Sequence, residues 1–468
     1  MPFSLAVAFL MLGIGPTARG EMTVEKLTGT AITGVGPYYQ DVADAIRQFG
    51  AKNYAAALEH LEAAKKSTPR LAPPEIMMAA LHLDADQRGP AIAFLERAIL
   101  RVPQDPEAFL ILAERAMAEG RYSEAEFMYQ RAAKNVESYT DNPRRKQDLQ
   151  VRALSGAASV DEARASAKEA KPKLESLIKL DPRNAAAHER LGRVLFALGD
   201  QKAAYAAFQS AAEMDKKLPP AELSMAYLFS DRPSVEKWLN FALNKGRQDL
   251  RTQLGAANYM LKHNRLDTAK VHAEEAVKLD PDGFDSNATA GLVARSLADY
   301  PKARAYLEKA HLLSPTHTGV INNLALVLVE MPNEGRERAL EFAELGARQS
   351  ANSRDALSTL GWIYFRSNRR REAERAYSAA MTMPDGSTSK TMTSEMAYYL
   401  AHLAKEQGNI SEAIQMLKEA LNTELPFAYR KPAEEFLAQL SKLDKSQPAS
   451  KGEKTPDAKP SAKAGAAK

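Results

Sequence analysis

Residues 357–380 read LSTLGWIYFRSNRRREAERAYSAA, and the spacing inside this stretch decides the fold. Leu357, Leu360, Gly361 and Tyr364 fall at the three- and four-residue steps that place side chains on one stripe of a helix. Ala373, Tyr377 and Ala380 form a second stripe on a second helix, and the arginines between them mark the turn. Gly361 is small where the second helix presses on the first, so the two axes approach closely. The stretch is a helical hairpin.

The hairpin recurs along the chain. Ala57, Ala91 and Ala125 lie 34 residues apart, as do Ala64, Ala98 and Ala132, with Leu61, Leu95 and Tyr129 between them at the same step. Pro69 and Pro103 keep that step, and so do Ala269 and Ala303, Ala276 and Ala310, and Pro281 and Pro315. Further copies are Leu191-Gly192, Leu195, Gly199, Ala204, Phe208 and Ala211 after Asp181-Pro182; Ala290-Gly291, Ala294, Ala303, Leu307 and Ala310; and Leu400-Ala401, Ala404, Gly408, Ala413, Leu417 and Ala420. Proline at 69, 103, 182, 281 and 315 ends a second helix, whereas Pro90 and Pro301 sit where a helix starts and its N–H is not needed.

A 34-residue helix pair with Leu-Gly, Tyr, Ala, aromatic and Pro at these places resembles the tetratricopeptide repeat family. The resemblance covers residues 38–427. It implies an all-α, right-handed superhelical solenoid of about eleven helix pairs, beginning near Tyr38, Ala72, Pro106, Arg144, Ala185, Pro219, Leu250, Phe284, Thr318, Arg354 and Ser394. Residues 144–184, 219–249 and 318–353 are irregular units. Pro172 inside the first of these predicts a kink or an extended hairpin. Pro332–Gly335 and Pro384–Ser387 read as enlarged loops. Residues 428–443 read as an amphipathic helix capping the stack.

Composition agrees with this reading. Of 468 residues, 45% are hydrophobic and only 7% aromatic, with two Trp and much Ala, Leu, Glu, Lys and Arg. Cysteine is absent, which removes disulfides, thiolate metal sites and Cys nucleophiles. The formal net charge is +4, and residues 445–468 alone hold six Lys against Glu453 and Asp457. The body is therefore neutral, and no nucleic-acid partner is expected.

Both termini differ from the body. Phe3–Gly15 is an apolar run followed by Ala18-Arg19-Gly20, so residues 1–20 read as a signal peptide and the protein as exported, periplasmic or in the cell envelope. The competing account is an N-terminal helix packed on the body. Residues 21–37 read as a linker. Residues 444–468, rich in Lys, Ala and Pro, read as a disordered basic tail suited to weak contact with a membrane surface or an anionic polysaccharide.

No catalytic constellation emerges, and no enzyme activity, metal or cofactor is expected. The Gly29–Gly36 stretch lacks the Lys of a phosphate loop, Ser387–Lys390 has no partner motifs, and Asp280–Gly283 lacks the distal Glu of a calcium loop. What remains is binding. In the resembled family the first helices line a concave groove, and here the stripe beside their packing stripe reads Asn258, Asn322, Asn323, Ser358, Thr359, Trp362, Tyr398, Tyr399 and His402. Such groups can hold a peptide backbone or stack on sugar rings. In the amino-terminal units the stripe reads Ile76, Met77, Leu110 and Ile111. The alternative is that Trp362 and Tyr399 are buried by the next unit while the amides stay solvated. Arg366, Arg369, Arg370 and Arg371 form the densest charge cluster of the body, either a solvated turn or an anion contact.

The function implied is a scaffold or adaptor binding a protein or peptide partner in the groove, with an accessory carbohydrate-binding subunit of an exopolysaccharide or secretion machine as its rival. The Leu360-Gly361-Trp362 copy and the closing Leu425-Pro426-Phe427 are similar to the carboxyl end of exported bacterial repeat proteins of envelope and exopolysaccharide systems.

Overall fold

The structure, a computed structural model, describes residues 22–28, 40–331, 335–382, 392–423 and 427–446. The expected signal peptide, most of the linker, the loop at Pro384–Ser387, Leu425-Pro426 and the tail beyond residue 446 lie outside the described residues. Among those described, every element is a helix. In chain order they are α1 Val24–Thr28, α2 Gln40–Gly50, α3 Tyr54–Ser67, α4 Pro74–Asp84, α5 Arg88–Arg101, α6 Glu107–Ala118, α7 Tyr122–Ser138, α8 Pro143–Ala163, α9 Ala167–Leu180, α10 Ala185–Ala197, α11 Gln201–Met214, α12 Ala221–Leu228 and α13 Arg232–Lys245. They continue as α14 Leu250–Lys262, α15 Leu266–Leu279, α16 Phe284–Ser296, α17 Tyr300–Leu313, α18 Thr318–Glu330, α19 Gly335–Gln349, α20 Arg354–Arg366, α21 Arg370–Thr382, α22 Ser394–Glu406, α23 Ile410–Leu421 and α24 Arg430–Ser446.

The chain divides into two compact units, Met1–Trp238 and Leu239–Lys468. Within each, every even-numbered helix from α2 to α10 and from α14 to α22 packs against the helix that follows it; the second helices α3, α5, α7, α9, α11, α15, α17, α19 and α23 pack on the helix that comes next, while α20 and α22 meet directly. The exception is the short α12, which ends at Leu228. Trp238 of α13 there lies 5.2 Å from the Tyr205 ring of the preceding pair. Val24–Thr28, inside the stretch read as a linker, is helical, and its Leu27 is buried with Val42, Ala45 and Leu81. Pro172 sits inside α9, which runs unbroken around it.

The glycine in the Leu-Gly pair does what the sequence asks of it. A Cβ at Gly361 would stand 2.6 Å from Cε1 of Tyr377, one at Gly291 2.6 Å from Cγ of Leu307, and one at Gly192 2.8 Å from Cε1 of Phe208. The turn between the helices of a pair is made by a different device. Its last residue is left-handed at Lys52, Asp86, Gly120, Ala165, Gly199, Asn264, Ala298, Asn368 and Gly408. At Ala298 the turn closes with Ala298 N–H on Arg295 O at 2.9 Å and Asp299 N–H on Ala294 O at 2.9 Å. The next helix is then capped by the Asp299 carboxylate, which accepts from Lys302 N–H. Alanine at 57, 64, 91, 98, 125 and 132 is fully buried, so the repeating alanines set how close the helices come.

Candidate partner-binding surface

In the second unit, Trp362 of α20 and Tyr399 of α22 stack at 4.5 Å with 15° between their planes. Each is only 1% exposed. Phe365 continues the stack one turn on, 5.6 Å from Trp362. On the other edge His402 meets the Tyr398 ring edge-on at 4.7 Å, and Phe436 of α24 stacks on His402 at 4.3 Å. The Arg366 guanidinium lies 5.3 Å over Trp362 and donates to Glu330 Oε1 at 2.6 Å. A tyrosine from the segment before α24 fills the remaining space. Tyr429 stacks on Tyr398 at 5.0 Å and 14°, its Oη stands 3.4 Å from Glu330 Oε1, and Arg295 of α16 reaches to 5.7 Å from its ring.

Burial sets the electrostatics of this cluster. Desolvation, with Arg366 and Lys405 adding repulsion, depresses His402 to about 4, so it is neutral at pH 7. The Tyr398 phenol is pushed up to about 12 by desolvation and by Glu330. Tyr377, Tyr399 and Tyr429 are raised for the same first reason. Glu395 is raised by burial although Arg295 pulls it down.

The residues expected to line an open groove are thus placed differently. Trp362, Tyr398 and Tyr399 belong to the core of the second unit, because α22, α24 and Tyr429 cover them. Ser358 is buried and its hydroxyl donates back to Arg354 O at 2.8 Å, and Thr359 is buried beside it. Asn322 is 8% exposed, and a Cβ at Gly346 of α19 would lie 2.5 Å from its Oδ1. Asn323 points the other way, accepting from Arg295 Nη1 at 2.9 Å and donating to Gly319 O at 2.8 Å. The two neighbouring amides therefore do not work as a pair. Asn258 of α14 is exposed.

The four arginines also separate, since successive helical and turn positions point apart. Arg366 turns inward to Glu330. Arg369 pairs with Glu372 at 3.0 Å and covers the Tyr364 ring at 4.5 Å. Arg370 pairs with Glu406 at 2.9 Å, and Arg371 is exposed. They are not one anion site.

In the amino-terminal unit Phe49 of α2 and His82 of α4 meet ring to ring at 4.8 Å, and further on ions tie the first helices α6, α8 and α10. Arg145 of α8 is buried and donates to Asp105 at 2.9 and 3.0 Å, to Glu107 at 2.6 Å and to the Tyr139 hydroxyl at 2.8 Å. Arg152, two turns on, reaches Glu114 and Glu107 of α6. Arg190 of α10 joins Glu162, Ser155 and Ser159 of α8. Ile76, Met77 and Leu110, read as a groove stripe, are core residues, and Ile111 is half-buried. Sequence reading missed Arg295, Glu330 and Tyr429. The charged pair ends two successive first helices, which was a signal. Tyr429 follows the last repeat, where no repeat pattern points to it.

Residues 76–143 and 155–219 match the family model described as tetratricopeptide repeat. No curated protein matches the chain. Among solved structures, a thermophilic TPR protein of Thermus thermophilus is 18% identical, covering 41% of this chain and 99% of that one with a TM-score of 0.34. Yeast Tom70 is 14% identical over 87% and 96% of the two chains with a TM-score of 0.33. The Cut9–Hcn1 hetero-tetramer of APC/C gives 13% identity over 91% and 79%, with a TM-score of 0.42. Residues 76–143 and 155–219 therefore carry tetratricopeptide repeats, and helix pairs continue outside them.

Proposed function

We propose that this chain is a non-catalytic scaffold that holds segments of partner proteins against its first helices, and that it does so after export to the periplasm or cell envelope. One observation carries the binding part of the reading: the first-helix side of the second unit already holds a non-helical piece of protein, Phe427–Tyr429 of the same chain. A face built to seat one such segment is built for protein. The carbohydrate alternative asks for open ring faces at Trp362, Tyr398 and Tyr399, and these rings are stacked on one another.

Site-specific photo-crosslinking in cells tests the scaffold reading. A photoreactive residue at Asn258, exposed on first helix α14, is expected to give discrete protein adducts, while one at exposed Leu100 on second helix α5 gives none. Equal adducts at both, or none at either, overturns it. The export part is separate, resting on the apolar run at Phe3–Gly15. It predicts a mature protein beginning near Glu21, and recovery of a cytoplasmic chain beginning at Met1 refutes it.

A further inference from the structure

We infer that Tyr429 is a brace across the second unit: it fixes the spacing of the first helices α16, α18, α20 and α22, so that the face they form is stiff before any partner meets it. The inference rests on contacts within that unit and does not depend on what the face binds.

One side chain touches all four helices. The Tyr429 ring stacks on Tyr398 of α22 at 5.0 Å and meets Tyr399 at 5.7 Å and Trp362 of α20 at 6.1 Å, both edge-on. Its hydroxyl donates toward Glu330 Oε1 of α18 at 3.4 Å and accepts from the guanidinium of Arg295 on α16, whose Cζ lies 5.7 Å from the ring centre. The groups it touches are tied to one another as well. Arg295 donates to Asn323 of α18 at 2.9 Å, Arg366 of α20 donates to Glu330 at 2.6 Å, and Trp362 stacks on Tyr399 at 4.5 Å. Each of these ties joins one first helix to the next, and Tyr429 meets them all at one point.

The brace is fastened at its root. Arg430, the next residue, donates to the main-chain oxygens of Leu421 and Thr423, at and just after the end of α23. The main chain of Ala428 is hydrogen-bonded to Glu395 of α22, and the Phe427 ring lies 6.0 Å from that of Tyr398. Beyond it α24 packs on α23 and sets Phe436 against His402. The root is thus held on the pair α22–α23, and the hydroxyl end is held on α18 and α16, two and three pairs away. In a stack of helix pairs the small rotation from each pair to the next sets the curvature, so flexing spreads or closes the first helices. A gap of about 1 Å already forfeits up to half of a van der Waals contact. Spreading any two of the four helices therefore breaks contacts to Tyr429, and closing them is blocked by its ring.

The test reads distances within each unit of the full chain. The protein contains no cysteine, so spin labels go only where cysteines are placed. One labelled pair is Ala305→Cys on α17 with Gln415→Cys on α23, exposed sites at the two ends of the brace. The other is Ala93→Cys on α5 with Ala206→Cys on α11, exposed sites that likewise span four helix pairs, in the first unit. Pulsed dipolar electron spin resonance is expected to give a narrow 305–415 distance distribution in the parent. Tyr429→Phe keeps the ring on Tyr398 and drops the hydroxyl's ties to Glu330 and Arg295, so it should widen that distribution; Tyr429→Ala should widen it further and shift its mean. The 93–206 distribution should be the same in all three chains. Because Tyr429→Ala can also unseat α24, Tyr429→Phe decides, with hydrogen exchange of the α24 amides at the parent's rate showing the cap in place. A parent-like 305–415 distribution in Tyr429→Phe, a widening that comes only with faster α24 exchange, or equal widening at 93–206 overturns the inference.

Discussion

Gly361→Ala adds one methyl group where the two helices of a pair cross. The new Cβ would meet Cε1 of Tyr377 at 2.6 Å and Cδ1 at 2.8 Å, and the ring has little room to retreat because Tyr377 is 2% exposed. Overpacking of this kind costs about 1–3 kcal/mol, and replacing a helical glycine by alanine returns about 0.5–1 kcal/mol. The net expectation is a loss of about 1–2 kcal/mol. Gly89→Ala in α5 is the matched control, since a Cβ there meets nothing within 4 Å and only the gain remains. The pair of variants should therefore move in opposite directions. Urea unfolding followed by the emission of Trp362 in a Trp238→Phe background reads the unit that holds Gly361, and the emission of Trp238 in a Trp362→Phe background reads the unit that holds Gly89. A Gly361→Ala midpoint at or above the parent's, with Gly89→Ala alongside it, would refute the close crossing.

Ala298 is left-handed at φ 57°, so Ala298→Gly should raise stability by about 0.5–1 kcal/mol in a thermal melt, against the usual cost of glycine. Arg145→Ala strands Asp105 and Glu107 and should cost about 3–5 kcal/mol by chemical denaturation, whereas Arg370→Ala, which loses one exposed pair, should cost under about 0.5 kcal/mol. For His402 the folded value of about 4 lies below the unfolded one near 6.5, so the unfolded chain takes up the proton first as pH falls. Stability tied to His402 is thus whole above pH 6.5 and falls by roughly 3 kcal/mol in all as pH drops to 4. The parent minus His402→Gln difference in denaturation midpoint across that window measures it, and a flat difference refutes the buried neutral imidazole.

The helix pairs were readable because packing between them repeats: Gly192, Gly291 and Gly361 must be small for the same reason each time. The turns were less readable. Among the described residues nine positions take the left-handed conformation, and of these only Gly120, Gly199 and Gly408 carry the residue that announces it. The remaining six accept strain because the hydrogen bonds of the turn and the next cap hold them. The candidate surface was read least well. Burial by a neighbouring element cannot be seen from a stripe on one helix, so Trp362 and Tyr399 looked the same whether open or covered. What covered them, Tyr429, lies past the last repeat, where periodicity stops giving information.

The contact between Tyr429 and Glu330 joins residues 99 positions apart. A linear array of repeats ordinarily couples each unit only to its neighbours, so such arrays can fray from an end and grow from any point. Closing a loop of that length changes the kinetics of the second unit. The helices from α16 to α22 can form in sequence as the chain emerges from the ribosome, but their shared aromatic interior stays wet until residues 427–446 have been made. Its final consolidation is then a late, non-local step, with slow closure and slow fraying as two faces of one long-range contact.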